Sequence, residues 1–266
     1  MSTRRTASLL AGLGLASLSA GCRSTTALAP AAPTAWEPIR TAWCGDDGWQ
    51  GLDAQTCFYA PTTTSSPPSV LIFLHGILPP EAVPTRLQSI VREAADSRGF
   101  VGVFPRAVQG VCPAWAKPDG WCWPTARATV DAHAPAIVAK WDQLLAALET
   151  RLETRFARRY LFGFSSGGFF AAYLGLEDWW EIDGVGMVGA GRSSPLFSDR
   201  IPAELPPVYI ARGTSDGDAM RRSADLDRAL GALDWPHRLV THQHRGHEVR
   251  VDDIEHAWDY WTSHHP

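Results

Sequence analysis

The sequence lacks the features of several classes of protein. It has no cluster of lysine and arginine, and its formal net charge at pH 7 is −4. Both properties argue against nucleic acid as a partner, because nucleic-acid-binding surfaces are rich in positive charge. Lysine is rare and arginine common, so most of the positive charge is carried by guanidinium groups. No internal repeat is present, which excludes a repeat architecture.

Metal-binding motifs are also missing. The chain contains no C-x-x-C pair and no H-E-x-x-H motif, which are common arrangements of zinc ligands and zinc-site residues. His242, His244 and His247 are closely spaced, but no carboxylate pattern accompanies them. We therefore predict that the protein holds no metal.

The sequence also lacks an apolar run long enough to span a membrane. A shorter apolar run at residues 7–20 follows Arg4 and Arg5, which is typical of an export signal. The small residues 19–21 then precede Cys22 and resemble a bacterial lipobox, although Ser19 stands where an aliphatic residue is usual. We predict a lipid anchor on Cys22. Plain secretion, twin-arginine export and a buried N-terminal helix are the alternatives.

Residues 24–38 are rich in alanine, threonine and proline, a composition typical of a tether. We expect the export signal over 1–21, the tether over 22–40 and one folded domain over 41–266. The chain has 266 residues with 45% hydrophobic content, which is enough for a sizeable core.

Four cysteines follow Cys22. An exported chain with four further cysteines is expected to form two disulfides. Three pairings are possible, and we favour the local one, which joins Cys44 to Cys57 and Cys112 to Cys122.

Strand-like and helix-like segments alternate along the chain. Apolar runs predict strands, and periodic apolar positions or polar segments after them predict helices. The predicted strands are 70–74, 100–104, 160–162, 184–189, 208–211 and 238–242, after a hairpin within 43–61. The predicted helices are 86–97, 136–155, 168–174, 218–233 and 252–262. This alternation predicts an α/β fold with a mostly parallel central sheet and helices on both faces.

The segment Gly163-Phe164-Ser165-Ser166-Gly167 lies between a predicted strand and a predicted helix. This is the G-x-S-x-G nucleophile elbow, in which a sharp turn exposes a serine hydroxyl. Ser165 has glycine two residues before and after it, whereas Ser166 does not, so Ser165 is the predicted nucleophile.

A serine nucleophile needs a histidine base, and the base needs an acid that orients it. Asp216 and His247 each follow a predicted strand, in the chain order serine, acid, histidine. We predict Asp216 as the acid, with Asp218 as the rival and a helix N-cap as the structural alternative. We predict His247 as the base, with His242 and His244 as rivals.

The reaction also needs two backbone N–H groups that stabilise an oxyanion. We predict the N–H of Ser166 and the N–H of Ile77, which lies just after the first central strand. His75, two residues earlier, is predicted to hold this loop rather than to act as the base. Pro79 and Pro80 stiffen the loop and remove N–H donors.

A tryptophan-containing segment at residues 108–124, the tryptophan loop, carries Trp115, Trp121 and Trp123 together with two cysteines. Its aromatic rings either pack within a disulfide-closed loop or face a substrate. Of these two roles, we favour packing within the loop.

The residues His75-Gly76, the elbow, the turn ending at Asp216 and Gly246-His247 together resemble the α/β-hydrolase fold. Within it, the chain resembles secreted esterases of the polyhydroxybutyrate depolymerase and feruloyl esterase type. This resemblance implies hydrolysis of a small-molecule or polymer ester through an acyl-enzyme, without a metal or organic cofactor. We expect a monomer that contacts the membrane only through the lipid anchor on Cys22. A peptidase, an acyltransferase and a non-catalytic carbohydrate-binding lipoprotein are the alternatives.

Overall fold

A computed structural model describes residues 39–45, 47–192 and 201–264. The predicted export signal, Cys22 and nearly all of the predicted tether lie outside these residues. Within the described part of the chain, no helix combines the length and apolar character needed to cross a membrane.

Eight strands form one sheet in the order β1-β2-β4-β3-β5-β6-β7-β8. The first two strands, β1 (Gln50–Asp53) and β2 (Thr56–Tyr59), form an antiparallel hairpin at one edge, and β2 also runs antiparallel to β4. The remaining strands are parallel to one another. They are β3 (Val70–Leu74), β4 (Val101–Pro105), β5 (Arg159–Phe164), β6 (Gly184–Val188), β7 (Val208–Gly213) and β8 (His237–His242).

Five helices connect or follow the parallel strands in the described residues. They are α1 (Thr85–Arg98), α2 (Arg127–Arg151), α3 (Ser166–Leu176), α4 (Gly217–Gly231) and α5 (Val251–His264). Gly99 ends α1 in the left-handed conformation, with φ of 70°, which glycine adopts without steric cost. The predicted mostly parallel sheet with covering helices is confirmed.

The two faces of the sheet carry separate apolar clusters. In β3, Val70, Ile72 and Leu74 belong to one cluster with residues of α2, α3 and α4. Leu71 and Phe73 belong to the other cluster, with residues of α1 and α5. Alternate side chains of a strand point to opposite faces. Strands buried on both faces are therefore apolar throughout, which is why the sequence reveals them clearly.

The longest helix differs from its prediction. The sequence predicts a helix over 136–155, whereas α2 begins at Arg127, continues through Pro135 and ends at Arg151. Its first turns contain buried Val130 and Ala134, and the other residues there are exposed or half-buried. Two apolar positions are too few to show helical periodicity, and proline is normally unfavourable inside a helix.

Both disulfides follow the local pairing. Cys44 is bonded to Cys57, and Cys112 is bonded to Cys122. The first bond ties the chain before β1 to β2, and the second closes the tryptophan loop.

Candidate active site

The parallel strands end at one edge of the sheet, and the predicted site residues meet there. Strand β5 runs into Ser165, which directly precedes α3. Ser165 has φ of 55° and ψ of −121°, a region that non-glycine residues rarely occupy and that is found at functional sites.

The two elbow glycines permit this turn because strand and helix approach closely. A Cβ atom on Gly163 would lie 2.3 Å from the backbone of Gly167, and one on Gly167 would lie 2.2 Å from the carbonyl oxygen of Leu74. Any larger residue at either position would force the helix away from the sheet. The pattern of glycines around Ser165 therefore has a direct steric cause.

Asp216 lies in the turn between β7 and α4. It occupies the N-cap position of α4, but its side chain makes no capping hydrogen bond. Its Oδ2 lies 2.6 Å from Nδ1 of His247. The side chain thus faces the histidine instead of the helix N-terminus.

His247 joins the acid to the serine. Its Nε2 lies 2.9 Å from Oγ of Ser165, and its side chain is 47% exposed. Because Nδ1 faces a carboxylate, it carries the proton, and Nε2 is then free to accept a hydrogen bond from the serine hydroxyl. The ring packs against Phe164 at a centroid distance of 4.9 Å. Gly189 is also close, since a Cβ atom there would lie 3.0 Å from Nδ1 of His247.

The rival residues have other partners. Asp218 binds Arg221 and Arg222 on the surface, and Nε2 of His242 lies 3.1 Å from Oδ1 of Asp253. His244 is exposed, and its backbone N–H donates to Oγ1 of Thr214. None of these three side chains is bonded to Ser165 or His247 among the described residues.

Two backbone N–H groups are available beside Ser165. Ser166 opens α3, so its N–H has no acceptor within the helix. The N–H of Ile77 has no backbone or side-chain acceptor within the described parts of the chain. Gly76 brings this loop to the serine, because a Cβ atom on Gly76 would lie 3.3 Å from Cβ of Ser165.

His75 lies at the same edge of the sheet but is fully buried. Its Nε2 accepts a hydrogen bond from the N–H of Ala107 at 3.1 Å, so its Nδ1 carries the proton, which it donates to the carbonyl of Gly76. Burial, with a smaller contribution from Arg106, lowers the pKa of His75 to about 4. Both ring nitrogens bind backbone groups, so His75 holds the loop that contains Ile77.

A buried ion pair that was not predicted from the sequence joins the loop before His247 to α5. Nη1 of Arg245 lies 2.7 Å from Oδ1 of Asp253, and both side chains are buried. Nη2 of Arg245 also binds Asp252, so the arginine ties the loop before His247 to the first turn of α5. The acidic pair at residues 252–253 and the basic residue in the turn were visible in the sequence. Their contact depends on the tertiary fold.

The tryptophan loop shows three different environments. Trp123 is 1% exposed and stacks on Phe170 at 5.7 Å, whereas Trp115 is 81% exposed. Trp121 is half-buried, with the guanidinium of Arg106 lying 3.7 Å above its ring. Packing therefore accounts for Trp123, and Arg106 covers one face of Trp121.

Comparisons with known proteins define the fold. No family model and no curated protein sequence matches the chain. Among solved structures it is similar to esterase PE8, with 23% identity and a TM-score of 0.56 over 77% of this chain and 96% of that chain. A Bacillus cereus carboxylesterase has 18% identity and a TM-score of 0.52 over 78% and 93% of the two chains. Acyl-protein thioesterase 2 of Zea mays has 17% identity and a TM-score of 0.55 over 79% and 98%. The chain has the α/β-hydrolase fold, as predicted.

Proposed function

We propose that this protein is a serine hydrolase that cleaves carboxylic esters through an acyl-enzyme. One observation carries the proposal: a single imidazole, that of His247, lies within hydrogen-bond distance of both Ser165 Oγ and Asp216 Oδ2. This arrangement can activate a serine hydroxyl, which is otherwise a weak nucleophile at neutral pH.

The first half of the reaction forms the acyl-enzyme. Ser165 Oγ attacks the ester carbonyl carbon while its proton moves to Nε2 of His247. Asp216 accepts the hydrogen bond from Nδ1–H and stabilises the imidazolium cation. The N–H groups of Ser166 and Ile77 donate to the oxyanion. When the tetrahedral intermediate collapses, the carbon–oxygen bond to the alcohol breaks and Nε2 returns the proton to the leaving alkoxide.

The second half releases the acid. Water attacks the acyl carbon and gives a proton to Nε2 of His247, which then protonates Ser165 Oγ as the acyl bond breaks. Every proton in this cycle moves between the substrate, water, Ser165 and His247, while Asp216 and the two N–H groups stabilise the charges that develop.

Ester substrates are favoured by two observations. Solved proteins of the same fold are described as an esterase, a carboxylesterase and an acyl-protein thioesterase, and the sequence motifs resemble those of secreted polymer and aromatic esterases. A peptidase or acyltransferase would use the same acyl-enzyme and differ in the bond cleaved or in the acceptor. The carbohydrate-binding alternative is less favoured, because Trp123 is buried and Arg106 covers one face of Trp121.

Replacement of the nucleophile tests the activity. Ser165→Ala should reduce hydrolysis of p-nitrophenyl acetate to the uncatalysed rate and abolish labelling by a fluorophosphonate probe, while circular dichroism stays unchanged. Ser263→Ala, the same change on an exposed residue of α5, should retain both. Hydrolysis or labelling that survives in Ser165→Ala would exclude Ser165 as the nucleophile.

We also propose that the protein is exported and anchored by a lipid on Cys22, as the lipobox-like segment indicates. Cys22→Ala should then move the protein from the membrane fraction to the soluble fraction of the expressing cells. An unchanged distribution between the two fractions would argue against the lipid anchor on Cys22.

A further inference from the structure

The segment that contains Ile77 depends on hydrogen bonds from other parts of the chain. This segment, the oxyanion loop (residues 75–80), ends in Pro79 and Pro80, and proline has no N–H to donate. Backbone hydrogen bonds to the residues after Ile77 can use only the N–H of Leu78 and the carbonyl oxygens of this segment. The position of Ile77 therefore depends on groups supplied by other parts of the chain.

Trp121 supplies three of these groups. The N–H of Leu78 donates to the carbonyl of Trp121 at 3.1 Å, and the N–H of Trp121 donates to the carbonyl of Leu78 at 2.8 Å. In addition, the indole Nε1–H of Trp121 donates to the carbonyl of Pro80 at 3.1 Å. One residue thus binds both the first and the third residue after Ile77.

Arg106 reinforces this contact from the end of β4. Its Nη2 donates to the same carbonyl of Pro80 at 3.0 Å, and its guanidinium stacks on the Trp121 ring. No carboxylate within the described residues forms an ion pair with Arg106. Its guanidinium instead contacts the face of the Trp121 ring and the carbonyl of Pro80, and these contacts fix the indole against the oxyanion loop.

The chain behind Trp121 is itself held firmly. Cys122 exchanges two backbone hydrogen bonds with Val108, at 3.0 and 3.2 Å, and its sulfur is bonded to Cys112. Gly120 is pressed against the oxyanion loop, because a Cβ atom there would lie 3.1 Å from the carbonyl oxygen of Leu78. The tryptophan loop is therefore held in place by hydrogen bonds, a disulfide and close packing.

We propose that Trp121 is a positioning residue for the oxyanion site: it fixes the direction of the Ile77 N–H through Leu78 and Pro80, braced by the Cys112–Cys122 disulfide. This inference rests on the proposed hydrolase function. It assigns the tryptophan loop a role in stabilising the transition state, because small displacements of an oxyanion donor reduce the rate strongly.

Trp121→Phe tests the proposal, since it removes the indole N–H donor, replaces the indole by a smaller ring and keeps an aromatic group under Arg106. The readout is the ratio of kcat/KM for an aryl oxoester to kcat/KM for the matching aryl thionoester. Sulfur accepts hydrogen bonds more weakly than oxygen, so the thionoester depends less on the oxyanion donors. We expect kcat for the oxoester to fall about tenfold with KM little changed, and the ratio to fall by a similar factor.

Trp115→Phe is the matched control, because Trp115 lies in the same loop and is 81% exposed. It should leave the ratio at the wild-type value. Active sites are counted in every variant with a fluorophosphonate probe, so that a smaller folded fraction does not appear as a lower kcat. An unchanged ratio in Trp121→Phe, or an equal loss for both esters, would overturn the proposal.

The two disulfides provide a second, independent comparison. The double variant Cys112→Ser/Cys122→Ser should lower the oxoester-to-thionoester ratio, whereas Cys44→Ser/Cys57→Ser should lower stability without changing the ratio. Equal ratios in the two double variants would overturn the role assigned to the tryptophan loop. If the wild-type protein hydrolyses neither ester, the proposed hydrolase function fails, which is a different result from an altered ratio.

Discussion

Two histidines stand at the same edge of the sheet, and their surroundings give them opposite properties. His75 follows β3 and His247 follows β8. Each carries its proton on Nδ1, and each therefore presents Nε2 as an acceptor. The Nε2 of His75 is occupied by the N–H of Ala107, whereas the Nε2 of His247 faces the hydroxyl of Ser165.

The partner of Nδ1 differs as well. In His247 it is the carboxylate of Asp216, which stabilises an imidazolium cation. In His75 it is a neutral backbone carbonyl, and full burial lowers the pKa to about 4. A histidine that acts as a base therefore needs two things. Its acceptor nitrogen must be open to a reacting hydroxyl, and a negative charge must compensate the proton that it gains. Closeness to the nucleophile is not enough.

Removal of His247 should give the largest effect. We expect His247→Ala to lower kcat for p-nitrophenyl acetate by at least about 10⁴-fold, because in the proposed mechanism only His247 takes the proton from Ser165. The side chain is 47% exposed, so added imidazole should reach the vacated space and restore part of the rate. Steady-state kinetics with and without imidazole measure both effects.

His256→Ala is the control for this variant, because His256 is an exposed histidine on α5. It should keep the wild-type kcat and show no response to imidazole. If His247→Ala retained a kcat within about tenfold of wild type, His247 would not be the base, and the contrast between the two histidines would not concern catalysis.

The sequence could predict that Ser165, Asp216 and His247 come together, because each belongs to a local pattern. The spacing of Gly163, Ser165 and Gly167 reflects a steric requirement of one turn. Asp216 and His247 follow parallel strands, β7 and β8, whose ends must meet at one edge of the sheet. The fully apolar strands were similarly clear, because burial on both faces removes polar residues from them.

Other features depend on contacts between distant segments and could not be predicted. The bonds from Trp121 and Arg106 to Pro80 join three separate parts of the chain. The pair of Arg245 and Asp253 forms only when α5 packs under the loop after β8. The start of α2 was missed because its first turns bury only Val130 and Ala134 before Pro135.

The smaller expected effect concerns His75 and the pH dependence of stability. The pKa of a histidine in an unfolded chain is near 6.5, whereas that of His75 in the folded protein is about 4. Between these values the unfolded state binds more protons, so acid favours unfolding. The contribution of His75 is fully present above about pH 6.5, is lost as the pH falls towards 4, and changes no further below that. The lost stability is on the order of 3 kcal/mol.

Urea unfolding at about pH 7 and about pH 4.5 measures this contribution in wild type and in His75→Asn. The amide of asparagine can donate an N–H to the Gly76 carbonyl but does not titrate, so the fall in unfolding free energy between the two pH values should be about 2 to 3 kcal/mol smaller in the variant. His256→Ala, which removes an exposed histidine of α5 instead of a buried one, should show the wild-type fall. Equal falls in wild type and His75→Asn would mean that His75 takes up its proton without cost in the folded protein. Burial and backbone hydrogen bonds would then not explain why His75 differs from His247, whose imidazole is exposed and bonded to a carboxylate.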